Sequence, residues 1–212
     1  MPELTINATW FIALIFFTAL LMVLYYRGHR KNMYIIQTIA ATLEQALDPS
    51  DKNYTWLGGV TGFSATYTIT GFKEVQAVLT LRPRQSLLYL PFVFLGGTRD
   101  QLQLLFFLDD TITEESHIIP VKRKHPLIHN RDRLKSMEEE CAGIRIEILY
   151  DNDPSFAKEV ACIVQDDLHS VNHIALTPEK SVFYIEINPS TIPLDDLKEL
   201  IQRTMMFITV SL

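Results

Sequence analysis

Trp10 to Tyr26 is an unbroken apolar run without a single charge. Met33, Ile36, Ala40, Leu43 and Leu47 then recur three and four residues apart, and Phe63, Ala65, Tyr67 and Ile69 alternate with Ser64, Thr66, Thr68 and Thr70. The first pattern predicts a helix of membrane length, the second an amphipathic helix, and the third a strand with one wet face. Asp48-Pro49 stops the second helix, because the residue before a proline is pushed out of the helical region. Gly71 turns the alternating strand into a second one, "KEVQAVLTL", which predicts a hairpin.

Further along, "DQLQLLFFLDD" is apolar enough for a central strand, and "HIIPV" predicts a short or edge strand because Pro120 cannot donate to a ladder. Leu127 to Ala142 reads as a helix ending near Gly143. "IRIEILY" alternates again, with Ile144, Ile146, Ile148 and Tyr150 on one face. Pro154 opens a helix carrying Phe156, Val160, Ile163 and Val164, and "SVFYIEI" is a late strand. Pro193, Asp195 and Asp196 open a final helix with Leu194, Leu197, Ile201 and Met205 inward. Strands mixed with helices, and hairpins among them, predict an α+β fold: one transmembrane helix followed by a single mixed helix and antiparallel-sheet domain.

The flanks of the apolar run give it a direction. Glu3 precedes it and "RGHRK" follows, the reverse of a cleaved signal peptide. Trp10 at one end and Tyr25 and Tyr26 at the other suit the two lipid interfaces, and the run spans roughly 25 Å as a helix. The positive-inside rule then places residues 1–9 outside, 10–26 in the membrane and 27–212 in the cytosol. This predicts a single-pass protein of the cell membrane, or of the endoplasmic reticulum membrane in a eukaryote. The 212 residues are 48% hydrophobic and carry a net charge of −6, which argues against a DNA-binding protein. Cys141 and Cys162 form no CxxC pair, so no disulfide framework is implied.

Chemistry is sparse. No GxSxG, P-loop, GxGxxG or HExxH occurs, and Gly58-Gly59 and Gly96-Gly97 read as turns. His125 with His129, and His169 with His173, have the spacing that puts two rings on one helix face. Pro126 disturbs the first pair, the second enters a strand, and neither has an assignable third ligand; surface histidines are the expectation. The sequence therefore predicts no catalytic residues, no metal, no cofactor and no small-molecule substrate.

Two surfaces stand out. Leu87 to Leu95 carries no charge, with Pro91 in its middle; at ~14 Å as a helix it is too short to cross a bilayer. It competes between core packing and a segment lying at the membrane edge, where Leu87, Leu88, Leu90, Phe92, Phe94 and Leu95 would meet lipid or a partner. The second surface is basic: Arg27, Arg30 and Lys31 after the membrane run, then Lys122, Arg123, Lys124, Arg131, Arg133 and Lys135 in "VKRKHPLIHNRDRLK". In an acidic chain these suit anionic headgroups or RNA phosphate, or simply a solvated face.

Arg84, Gln85, Leu87 and Leu88, followed by Asp100, Gln101, Leu102 and Gln103, carry a resemblance. In this order the chain resembles the coiled-coil domain-containing protein 47 family, the large subunit of the PAT (protein associated with translocon) complex. A second stretch, "DDLHSVNHIALTPEKSVFYIEIN", is similar to the family's acidic helix end, Ser-Val strand and late hydrophobic strand, and "DDLKELIQRTMMFITVSL" agrees in position with its last helix. The order of an outside N-terminus, one membrane helix, a basic flank and an α+β cytosolic domain is also shared. The family's long acidic segment before the anchor and its basic, ribosome-reaching coiled coil have no counterpart in these residues. The resemblance thus implies a minimal, archaeal relative and does not carry over ribosome contact through such a tail. It implies a non-enzymatic scaffold or chaperone factor beside the Sec translocon, with an Asterix-like small membrane subunit and the ribosome as partners, acting in biogenesis of multi-spanning membrane proteins. A membrane-tethered binding module for anionic lipid or another protein is the rival reading of the same residues.

Overall fold

The structure is a computed structural model and describes residues 8–86, 99–121, 128 and 131–211. The predicted membrane helix and the amphipathic helix after it are two ends of one element, α1 (Ala8–Leu47), about 60 Å long. Along its first half Trp10, Phe11, Phe16, Phe17 and Leu20 are more than half exposed, as a lipid-facing surface requires. It is the one helix among the described residues with the length and apolarity to cross a membrane. From Asn32 onward the same helix enters the domain: Asn32, Ile36, Ile39, Leu43 and Leu47 are buried on one stripe. The helix ends where Asp48 turns left-handed (φ 43°), a conformation that a short polar side chain tolerates.

Among the described residues nine strands make one antiparallel sheet: β1 (Asp51–Trp56), β2 (Gly62–Thr68), β3 (Glu74–Thr80), β4 (Gln101–Phe107), β5 (Ser116–Pro120), β6 (Lys135–Cys141), β7 (Ile144–Tyr150), β8 (Val171–Thr177) and β9 (Val182–Ile187). Their spatial order is β1-β2-β3-β4-β9-β8-β5-β7-β6. Two further helices, α2 (Ser155–Ile163) and α3 (Leu194–Ser211), join α1 on one face. The inward positions of β2, β3 and β4 alternate as period two demands: Phe63, Ala65, Tyr67; Val75, Ala77, Leu79; Leu102, Leu104, Phe106 are all buried. α3 lays Leu200, Ile201 and Thr204 over Leu104, Phe106, Ile185 and Ile187, while α2 covers Ile118, Ile174 and Phe183 with Phe156, Ala157 and Val160. The protein is therefore an α+β domain on a membrane-anchoring helix.

Several expectations change. Lys135–Cys141 is not the end of a helix but an edge strand, folded back on β7 through a two-residue turn at Ala142 (φ 49°) and Gly143 (φ 76°). Positive φ at both turn residues is the hairpin signature, and it overrides the helix propensity of "KSMEEE". Glu138 to Glu140 accordingly line a sheet edge, where charge blunts strand-to-strand association. β5 is short but interior, paired to both β7 and β8 and buried throughout. Pro120 is tolerated because the β5–β8 ladder stops at Ile118, opposite Ile174, while the β7 side stays paired through Pro120–Ile146 and the Val121 amide, which donates to the Arg145 carbonyl. Leu194 lies exposed at the start of α3 rather than inward. β1 has no strand signal in the sequence, since "DKNYTW" is a solvated edge with only Tyr54 turned toward the core.

The ladders also give the sheet two ends. Gly62, Thr80, Gln101, Ile187 and Val171 lie at one, and Thr68, Glu74, Phe107, Val182 and Lys135 at the other. α1 enters at the first end, so that end faces the membrane-spanning half of the helix.

Candidate functional site: the membrane-proximal clamp

At the end of the sheet nearest the membrane, α1 is tied to the two chain segments that flank residues 87–98. Gly28 comes first. It packs so closely on the Arg84–Gln85 peptide that a Cβ would overlap the Arg84 carbonyl and come within 2.7 Å of the Gln85 nitrogen. One turn later Asn32 replaces an apolar residue on the buried stripe and is itself fully buried. Its Nδ2 donates to the carbonyl oxygens of Val60 (2.9 Å) and Arg82 (2.8 Å), and its Oδ1 accepts from Arg84 Nη1 (2.9 Å).

Arg84 turns its other contacts to Asp100, which is also fully buried: Nη1 lies 3.1 Å from Oδ1, and Nη2 pairs with Oδ2. The Ser190 hydroxyl donates to Asp100 Oδ2 from the turn before α3, and the Arg82 amide donates to Oδ1 at 2.9 Å. Burial alone would push the Asp100 carboxyl up. The hydrogen bonds from Arg84, Ser190 and the Arg82 amide, with the Arg84 charge, outweigh burial and hold it below the usual carboxylate range. A buried carboxylate with this many donors is a rigid joint: the helix, the chain before residue 87 and the chain after residue 98 meet at one point. That point lies about 9 Å along α1 from Tyr26, where the apolar run ends.

Leu87, Leu88, Leu90, Phe92, Phe94 and Leu95 lie outside the described residues, as do Lys122, Arg123, Lys124, His125 and His129. Of the remaining basic positions, Arg27, Arg30 and Lys31 are exposed on α1 between the apolar run and the clamp. Arg131 instead makes a two-pronged pair with Glu147 on β7 (2.8 and 3.0 Å). Arg133 is exposed, and Lys135 stands 6.0 Å from the centre of the Tyr150 ring, at the end of the sheet away from the anchor. Among the described residues these basic positions therefore fall in two separate places, one on α1 and one around β6 and β7.

The histidines are rearranged more sharply. His173 does not meet His169, whose Nδ1 sits 3.2 Å from the Asp166 carbonyl oxygen. It meets His117, on the neighbouring strand β5 and on the sheet face opposite the helices: His117 Nδ1 is 3.2 Å from His173 Nε2, and His117 Nε2 is 3.0 Å from Glu115 Oε1. The ring planes are 18° apart and the centroids 5.3 Å apart, so the two rings lie nearly edge to edge with the facing nitrogens between them. A shared metal needs two lone pairs converging at an angle, whereas these face each other and fit a single N–H···N bond. Among the described residues no group of three or more histidine, cysteine or carboxylate side chains is placed to hold a metal. Burial first, then the nearby His117, pushes His173 down to about 3, so it is neutral at ordinary pH.

Sequence reasoning missed Asn32, Gly28, Asp100 as a buried charge, and His117. Asn32 had a visible signal, a lone amide on the apolar stripe that continues through Ile36, Ile39 and Leu43. His117 had none, because its partner lies across the sheet, 56 residues away. No protein-family model matches this chain, and no curated protein matches it, so the likeness to the coiled-coil domain-containing protein 47 family rests on the order of its residues alone.

Proposed function

We propose that the protein is a membrane-anchored, non-enzymatic scaffold that presents Leu87–Leu95 at the cytosolic edge of the bilayer. In this reading it acts beside the Sec translocon, with an Asterix-like small subunit, in the biogenesis of multi-spanning membrane proteins. The observation that supports it is the clamp. Arg84 and Asp100, the two roots of the apolar segment, are bonded to each other, and Arg84 is bonded to α1 at Asn32, one to two turns beyond the lipid-exposed run. A segment of this apolarity rooted at that depth gains by lying against lipid or a neighbouring membrane helix, and the rigid joint spares the entropy of positioning it at each encounter. Partly polar client helices are costly in lipid, which gives such a surface its purpose. The translocon and the small subunit enter through the resemblance.

The test is crosslinking followed by affinity purification from native membranes. Translocon subunits should be enriched with the wild-type chain, and enrichment should fall at least several-fold with Phe92→Asp/Phe94→Asp at equal expression. Absence of translocon subunits from the wild-type sample would remove the translocon reading. Retention unchanged by the double substitution would remove the apolar segment as the contact.

A further inference from the structure

Within the lipid-exposed half of α1, Ala19, Met22, Val23 and Tyr26 border a shallow apolar groove whose cytosolic end is closed by Arg27 and Arg30. On a helical period of 3.6 residues, positions 19, 23, 26 and 30 fall on one stripe, with 22 and 27 on its two flanks. Gly28 and Asn32 fall on the opposite side, where the domain is clamped. The groove therefore faces away from the domain, toward the surrounding membrane. Its composition changes along its length in the way a membrane changes with depth. Alanine provides a gap in the middle of the apolar run, methionine and valine line it, tyrosine sits at its end, and two guanidinium groups follow, Arg27 directly after the tyrosine and Arg30 one turn beyond it.

We infer that this groove holds an anionic phospholipid of the cytosolic leaflet, with one acyl chain along Ala19, Met22, Val23 and Tyr26 and the phosphate on Arg27 and Arg30. Charge complementarity selects the occupant. A zwitterionic lipid leaves the pair of guanidinium groups only partly neutralised, and an apolar partner helix would leave them without counter-charge. Arginine presents a planar fork that matches phosphate oxygens two at a time, which a diffuse basic flank does not require. The gap over Ala19 is where an acyl chain approaches the helix backbone most closely. This site rests on α1 spanning the bilayer and is independent of any translocon partner. It places a bound lipid on the side of the anchor opposite the Arg84–Gln85 peptide.

The experiment uses the full chain reconstituted into nanodiscs of phosphatidylcholine and phosphatidylglycerol at about 4:1, released into mild detergent and examined by native mass spectrometry. Retention of phosphatidylglycerol in at least several-fold excess over its share of the bilayer is the expected result. Arg27→Gln/Arg30→Gln should abolish the excess, and Ala19→Trp, which fills the groove, should reduce it comparably. Leu20→Trp, a quarter-turn round the helix, should leave it unchanged. Retention in proportion to bilayer composition, annular lipid only, would overturn the site. So would an excess that survives the double arginine substitution, or one that Ala19→Trp and Leu20→Trp affect equally. A chain that fails to remain with vesicles after an alkaline wash would instead overturn the membrane-spanning reading on which the site rests.

Discussion

Asp100 concentrates the energetics of the clamp in one side chain. Arg84 is its closest counter-charge, with the half-exposed Arg82 guanidinium farther off at 4.0 Å, so Arg84→Met leaves a buried carboxylate with the Ser190 hydroxyl, the Arg82 amide and that more distant charge. Breaking one side of such a pair costs about 3–5 kcal/mol, whereas exchanging both partners for uncharged groups is close to neutral. Arg84→Met should therefore lower the denaturation midpoint far more than Arg84→Met/Asp100→Asn, as measured by thermal melting of the purified chain; equal losses would mean the charge is not buried in solution. His173 makes a different prediction, about pH. Its folded value, about 3, lies below the ordinary histidine value near 6.5, so between these pH values the unfolded chain binds the extra proton. Stability is thus fully present above pH ~6.5 and declines as pH falls toward 3, by up to ~1.4 kcal/mol per pH unit. The charged and polar groups around the pair are Glu115 on His117 Nε2, and Tyr184, whose ring meets His173 edge-on and whose hydroxyl donates to Glu186. Urea midpoints at pH 7 and pH 5 should differ in the wild type and draw together in His173→Phe.

At the scale of elements, the long helix matters most, because a single α1 serves both the membrane and the core. Gly28 is the point at which the two uses meet. Gly28→Leu must push α1 off the Arg84–Gln85 peptide, at a cost typical of overpacking, about 1–3 kcal/mol, and amide exchange at Gln85 and Ser86 should accelerate more than exchange in the β2–β3 hairpin. Uniform acceleration would show the contact to be no local joint. The same elements show what was legible beforehand. β2, β3, β4, β7 and β9 announce themselves because one face is packed and the other wet, which writes period two into the chain. The stripe on α1 and the start of α3 behind Pro193 are equally plain. β1 and β6 are edges: with little to bury, neither carries an alternating signal, and the glutamates of β6 favour a helix until the Ala142-Gly143 turn decides otherwise. Pro120 reads as an edge residue, yet it sits inside the sheet, past the point where the β5–β8 ladder stops at Ile118. The clamp was half visible: Arg84 and Asp100 were noticed as motif residues, but no local pattern tells that they meet each other and Asn32 in space.

For the whole molecule, anchor and domain share the one continuous helix α1, and its orientation decides what the clamp can reach. Arg27, Arg30 and Lys31 follow the apolar run directly, from which the positive-inside rule predicts a cytosolic domain. Protease added to sealed, right-side-out cells should leave everything beyond the anchor intact; digestion down to the anchor would place the domain, and the Leu87–Leu95 segment, on the other face. On the cytosolic side the fate of Phe92 and Phe94 separates a membrane-edge surface from a piece of core. If they are core, Phe92→Asp and Phe94→Asp each bury an unpaired carboxylate at a cost of several kcal/mol, enough to unfold a domain of ordinary ~5–15 kcal/mol stability. If they lie at the bilayer edge, both variants of the chain truncated to begin at Gly28 should melt within a few degrees of the unsubstituted fragment, because the clamp and the sheet do not depend on them. The same substitutions in the full chain should then weaken crosslinking to membrane partners while leaving membrane extraction unchanged. Loss of folding in the fragment would return Leu87–Leu95 to the core and leave the clamp as a joint between helix and sheet only.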